Sequence, residues 1–405
     1  MANDALPNSN WKGNELRSVG REFKVPFPKT MRVYVDTVRR FCRPKNTDWQ
    51  YNFILGDLTG YQSDIEFYYP RNPVQEAWVN GRYLFNSARH RLARSSRWLV
   101  GLQRERFADR LCSRELAAAE CDVVFSHRDF PINAGKLPVV WQNSILDPEM
   151  CRARGASEAL LEDEFRMKRK LFAQARFVQV SSVAEADRLG NCMPEIRERF
   201  RPVPFFLPYL RAIDEDSVSR KHADPEVVEF VFVGREAHRK GLPEVVAALE
   251  GIDFGHMENA RLTVVSDFRD GPVILPTWPN LRHEVSLPRT EVVELFDRAH
   301  VMLMPSRFES YGFVYLEAMS RGVVPVVPNW EVQREIVDQG RCGVVVNTDS
   351  GQIADAVVRL LTDGKFRLEL ALHARQRFVA EYAPATVAQR YADLFRDAAG
   401  RAGSA

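Results

Sequence analysis

One unit recurs along this chain and limits what it can become: a short apolar run, a polar turn, then a segment with helical periodicity. The runs are Cys121–Ser126, Leu137–Trp141, Phe177–Ser181, Val227–Val233, Arg261–Ser266, Val301–Met304 and Val323–Val327. They are too short for helices, and apolar residues at consecutive positions leave no face for water. Each therefore suits a strand covered on both sides, as in a parallel sheet. Strands alternating with helices through the whole chain predict an α/β fold. At 405 residues the chain exceeds one ordinary core, so two such domains are expected.

The boundaries follow from composition. Residues 1–29, rich in Asn, Pro, Ser and charge, read as a poorly ordered leader. Residues 30–206 form a first domain, with strand candidates at Met31–Val38, Tyr51–Leu55 and, closing it, Phe200–Pro204. A helix is expected from about Ser157 to Gln174, and Ser182 with Glu185 forms a capping box for the helix after Phe177–Ser181. Residues 207–226, polar with Pro and Asp, are the linker, and 227–382 are the second domain. Residues 383–405 are a terminal helix and tail.

Bulk properties exclude several classes. A net charge of +2 argues against a nucleic-acid partner. Six cysteines occur without a Cys-x-x-Cys pair or a Cys/His cluster, which argues against a structural zinc site and a disulfide framework. No signal-peptide core and no run of about 18 apolar residues is present, so a cytoplasmic setting is expected. One segment stands apart: Arg82 to Arg114 holds nine arginines against two acids, with Leu84, Leu92, Trp98 and Leu99 among them. It reads as a solvated basic helix face, as a peripheral patch for anionic lipid at the inner face of a membrane, or as an attractor for a phosphorylated acceptor.

Two strand-turn-helix units in the second half carry the chemistry. After Val301–Met304 comes Pro305-Ser306-Arg307-Phe308-Glu309-Ser310-Tyr311-Gly312, then a helical pattern from Phe313 to Ser320. Glu309 lies in the turn and Glu317 in the helix, with seven residues between them. The amides of Gly312, Phe313 and Val314 open the helix, where a phosphorylated ligand is favoured, and Gly312 admits it close to the backbone. After Val227–Val233 comes Gly234-Arg235-Glu236-Ala237-His238-Arg239-Lys240-Gly241 before a helix from about Pro243. Cations at a helix start are unfavourable on their own, so Arg235 and Lys240 make sense with an anion between them.

The segment from Pro305 to Val326 resembles the signature of retaining glycosyltransferases of the GT-B fold, family 4 (glycosyl transferases group 1). Pro305, Ser306, Glu309, Tyr311, Gly312, Glu317, Ala318, Met319, Gly322, Pro325 and Val326 fill its positions. The loop from Gly234 to Gly241 is similar to the same family's Gly-Arg…Lys-Gly element. The resemblance implies two Rossmann-like domains facing a cleft, with a terminal helix crossing back onto the first. It implies transfer of a sugar from a nucleotide-diphosphate sugar to a sugar or lipid-linked acceptor, in polysaccharide or glycolipid synthesis, with no cofactor and no metal. Arg235 and Lys240 would grip the diphosphate, helped by Gly234 and by Ser310, Tyr311, Gly312, Phe313 and Val314. Glu309 would sit beside the transferred sugar, and Glu317 would meet the ribose.

The chain departs from the family at three places. Thr37-Val38-Arg39-Arg40 stands where a Gly-rich loop is usual, and Asp267-Phe268 stands in place of a turn glycine. Gln142-Asn143 occupies the position where many members carry a histidine, which leaves both as acceptor-side candidates. Nearby His127 either supplies that function or is a strand-end histidine bonded to backbone. A nucleotide-sugar epimerase of the same fold and a non-enzymatic two-domain sugar-binding protein are the other readings.

Overall fold

The structure, a computed structural model, describes residues 30–36, 61–62, 64–68, 120–126, 134–143, 148–153 and 155–400. The leader, the Tyr51–Leu55 strand candidate, His127 and the Arg82–Arg114 segment lie outside the described residues. The first domain holds strands β1 (Met31–Asp36), β2 (Ile65–Tyr68), β3 (Val123–Ser126), β4 (Val139–Gln142), β5 (Phe177–Val180) and β6 (Phe200–Pro202). Its helices among the described residues are α1 (Pro148–Ala153), α2 (Glu158–Phe172) and α3 (Val183–Cys192). The six strands form one parallel sheet in the order β2-β1-β3-β4-β5-β6. The expected capping box forms only by half. Ser182 caps the Glu185 amide at 3.0 Å, whereas the Glu185 carboxylate reaches past Ser182 to the Ser181 amide and hydroxyl, both at 2.7 Å.

The second domain contains α4 (Glu215–His222), β7 (Val228–Val233), α5 (Leu242–Gly251), β8 (Ala260–Val265), β9 (Leu281–Glu284), α6 (Arg289–Arg298), β10 (Val301–Leu303) and α7 (Phe313–Ser320). It continues with β11 (Val324–Pro328), α8 (Glu331–Ile336), β12 (Val344–Val346), α9 (Ser350–Thr362), α10 (Gly364–Arg377), a π-helical turn Phe378–Tyr382 and α11 (Pro384–Ala398). Its parallel sheet runs β12-β11-β10-β7-β8-β9. The strand order reverses between β7 and β10, so the chain leaves those two strands in opposite directions. The carboxyl ends of strands at such a reversal are where ligands bind in sheets of this kind.

The segment between the domains is more structured than its polar composition suggests. Asp214 caps α4 through the Ser217 amide at 2.7 Å. Lys221 donates to the Arg321 carbonyl at 2.7 Å, and the His222 ring contacts the Gly322 carbonyl at 2.9 Å, so α4 is fastened to the second domain. Just before it, residues 203–214 lie along α7 turn by turn. Phe205 meets Phe313 edge to face at 5.4 Å, Tyr209 bonds Glu317 at 2.8 Å, and the Ile213 amide donates to the Ser320 carbonyl at 3.0 Å.

Apolar packing does not stop at the domain boundary. One contiguous cluster joins Val33, Val123 and Phe125 of the first sheet, connector residues Phe205, Phe206 and Leu210, and the core of the second domain. The terminal helix α11 helps close it, with Tyr391 and Phe395 against Phe125 at 6.1 and 5.4 Å. A separate cluster around Val124, Trp141, Phe172 and Val178 fills the other face of the first sheet. Between α3 and the second domain lies a cavity of about 960 Å³ lined by Ser181, Arg188, Glu335 and Arg390 among others. Glu335 bridges the domains there, accepting from the Val183 and Ala184 amides at 2.9 and 2.7 Å. Among the described residues no helix is long and apolar enough to cross a membrane.

Candidate active site

The two loops at the β7/β10 reversal are packed into one unit. Gly241 holds φ +85°, and a Cβ there would lie 2.5 Å from the Pro305 carbonyl oxygen, so only glycine lets the loops close. The Arg307 amide donates to the Arg239 carbonyl at 2.8 Å, and the Arg239 guanidinium donates to the Phe308 carbonyl at 2.8 Å. Gly312, at φ +89°, ends the second loop and begins α7. A Cβ there would overlap the Tyr315 ring. No side-chain hydrogen bond caps the start of α7.

At the centre of this unit Lys240 is ion-paired with Glu309. Arg239 stands 3.6 Å from the same carboxylate oxygen and is itself paired with Glu236 at 2.6 Å. Glu309 is 7 % exposed. Burial pushes its carboxyl up, but Lys240, Arg239 and the Ser310 amide outweigh that and hold it below the usual carboxylate range. Arg235 is exposed at the far end of the loop, its carbonyl accepting from the Arg269 amide at 3.0 Å. Gly234 lies beneath the Lys240 stem, where a Cβ would come within 3.0 Å of Lys240 Cγ.

Glu317, eight residues on, has a different neighbourhood. The Tyr209 hydroxyl donates to its Oε1 at 2.8 Å, and the Arg289 guanidinium lies over the Tyr209 ring at 3.9 Å from the centroid. Burial dominates, and the Glu317 carboxyl is raised despite the Tyr209 hydrogen bond and the Arg289 charge. Tyr311 turns its ring into the core against Phe205 at 5.0 Å, so only its backbone belongs to the turn surface. Its carbonyl accepts from Gln333 at 2.9 Å.

On the first-domain side, Gln142 and Asn143 are buried at the end of β4. Gln142 donates to the Tyr391 hydroxyl at 3.4 Å, and Asn143 donates to Glu185 at 2.9 Å. Their amide donors are therefore engaged within the protein. The missing turn glycine after β8 has a structural answer: Phe268 itself adopts the left-handed region at φ 47°. Its ring stacks on His283 at 4.7 Å and 7°, and Asp270 in the same loop accepts from the His238 and Arg239 amides at 3.2 and 2.7 Å. The strained loop thus braces the one that carries Lys240. Sequence reasoning missed Arg239, Tyr209, Arg289 and Asp270. Arg239 was flagged only by its neighbour Lys240, and nothing local marks the other three.

Residues 228–363 match the family model described as Glycosyl transferases group 1. Glycogen synthase of Mycobacterium tuberculosis is 28 % identical over 243 residues, covering 56 % of this chain and 58 % of that protein. A mannosyltransferase of the same organism, described as GDP-mannose-dependent and acting on phosphatidylinositol monomannoside, is 28 % identical over 244 residues, with 56 % and 60 % covered. The chain thus spans about six-tenths of the length of these curated relatives. Among solved structures, Anabaena HepE in complex with UDP-glucose superposes with TM-score 0.57 at 13 % identity, covering 91 % of this chain and 99 % of that one. A UDP-forming α,α-trehalose-phosphate synthase from Burkholderia vietnamiensis gives TM-score 0.57 at 12 % identity, covering 91 % and 100 %. The architecture is GT-B: two Rossmann-like α/β domains with parallel sheets. The stretch from β7 through α9 is where the glycosyltransferase family model falls.

Proposed function

We propose that this protein is a retaining glycosyltransferase that moves a sugar from a nucleotide-diphosphate sugar to an acceptor hydroxyl without a metal. The observation that carries the reading is the Lys240–Glu309 pair set beside the uncapped start of α7 at the β7/β10 reversal. Departure of the diphosphate builds negative charge on phosphate and positive charge on the sugar. Lys240, Arg235 and the first amides of α7 supply fixed positive potential for the former. Glu309, held ionised by Lys240 and Arg239, supplies negative potential for the latter. A carboxyl kept below its usual range is a poor proton donor, so its role is electrostatic. Glu317 would accept from the ribose hydroxyls.

Support for the donor class comes from similar proteins, one bound to UDP-glucose and one described as GDP-mannose-dependent. We place the enzyme in polysaccharide or glycolipid synthesis on the cytoplasmic side, with the arginine-rich segment meeting anionic lipid. The test is a nucleotide-sugar panel read by thermal stabilisation, followed by NMR of the product formed with EDTA present. Transfer with the donor's anomeric configuration kept, and undiminished by EDTA, is the expected result. Free epimer accumulating without acceptor, or binding with no turnover, would replace the reading. Salt-sensitive binding to anionic but not neutral vesicles checks the lipid contact.

A further inference from the structure

Glu317 is the one carboxylate of the proposed site that no cation in the phosphate loops touches; its partner comes from elsewhere. Tyr209 sits in the connector between the domains, 108 positions away in sequence, and its hydroxyl is 2.8 Å from Glu317 Oε1. The placement is not a chance surface contact. Phe205, Tyr209 and Ile213 follow one another along α7 at four-residue steps and meet Phe313, Glu317 and Ser320 in turn. Lys221 and His222 fasten the following helix to the same domain. Arg289, from the start of α6, lies over the Tyr209 ring at 3.9 Å from its centroid and packs against that face. A tyrosine hydroxyl donates one hydrogen, and that one goes to Oε1. The carboxylate is thereby locked in rotation, with its second oxygen presented in a set direction.

We infer that Tyr209, steadied by Arg289, is a positioning residue for the ribose subsite: it holds Glu317 so that the free carboxylate oxygen receives the 2′- and 3′-hydroxyls of a nucleoside diphosphate. This rests on the reading of Glu317 as the ribose ligand. The consequence is that a connector residue outside both phosphate loops sets the preference for a ribose. A diol without an oriented acceptor loses most of the benefit of two hydrogen bonds, because the carboxylate must then be ordered at the moment of binding.

The experiment is calorimetric titration of wild type, Tyr209→Phe and Glu317→Gln with UDP and with 2′,3′-dideoxy-UDP, and with the guanine pair in parallel. Phenylalanine keeps the ring under Arg289 and removes only the donor. Wild type is expected to prefer the ribose form about tenfold or more, the scale of a hydrogen bond to a charged group. Tyr209→Phe should lose most of that preference by weakening the ribose form while binding the dideoxy form as wild type does. Arg289→Leu should show the same pattern to a smaller degree, which also covers a poorly folding Tyr209 variant. Equal weakening of both nucleotides in Tyr209→Phe, or no change in either, overturns the positioning role. If Glu317→Gln keeps the full ribose preference, the underlying assignment of Glu317 fails instead, whatever Tyr209→Phe does.

Discussion

The turn around Glu309 and the helix around Glu317 belong to one short stretch of chain, yet they place the same functional group in opposite electrical surroundings. Glu309 faces Lys240 and Arg239 from the β7 loop, and its carboxyl is held down. Glu317 faces a neutral tyrosine and is raised by burial, against the opposing charge of Arg289, which lies over that tyrosine's ring. A carboxyl held below its usual range suits stabilising charge that appears during reaction. A group whose charge is costly suits a neutral hydrogen-bonding partner such as a diol. Under the proposed function, the difference between the two carboxylates is a division of labour made by their neighbours.

Four measurements would sharpen or break that comparison. Glu309→Gln should have the largest effect: kcat falls about 10²-fold or more, the scale seen when a transition-state electrostatic contact is lost. The donor KM should hold or fall, because Lys240 is released toward the diphosphate. Wild-type kcat in this variant would mean the reacting sugar lies elsewhere. Lys240→Ala comes next, weakening nucleoside-diphosphate binding by about 10- to 100-fold on the scale of charged hydrogen bonds. Unchanged affinity by titration would remove the lysine from the diphosphate site. Glu317→Gln should raise the donor KM about tenfold with kcat little altered, since ribose is held alike in ground and transition states. A fall in kcat with KM constant would exchange the roles of the two glutamates.

The fourth measurement is of stability, and there the signs are opposed. Glu309, lowered in the folded state, contributes stability that is present above the unfolded carboxylate value of about 4.3 and lost as pH falls through its folded value. Glu317, raised in the folded state, costs stability above its folded value, and the cost fades as pH falls through it. At pH 7 Glu309→Gln should therefore destabilise, by about 3 kcal/mol if Lys240 stays buried without its partner. Glu317→Gln should be neutral or stabilising, with its advantage over wild type shrinking as pH is lowered. Urea midpoints for both variants at several pH values decide it. A shared sign at neutral pH would show that the neighbours do not distinguish the two groups.

Much of the fold was legible because strands and helices write their own periods. Val228–Val233, Phe177–Val180 and Phe313–Ser320 lie where apolar runs and helical spacing put them. Less legible was whatever depends on another part of the chain. The polar composition of residues 207–226 concealed α4, whose Val218 is buried against Gly322. Phe268 took a glycine-type conformation because His283, from the neighbouring strand, accepts its ring. Gln142 and Asn143 read as cleft amides by position, yet Tyr391 and Glu185 engage them.

The sequence by itself determined the alternation of strand and helix, the glycines that let Gly241 and Gly312 take left-handed turns, and the spacing that carries Glu309 and Glu317 on one strand-turn-helix. These are local matters, decided by backbone sterics and side-chain period within a few residues. Only the tertiary structure decided that Lys240 meets Glu309 across 69 positions and Tyr209 meets Glu317 across 108. It therefore also decided which carboxyl is pushed down and which up. Desolvation and Coulomb interaction depend on distance in space and on what displaces water, and no order of residues states either until folding has brought the loops after β7 and β10 together.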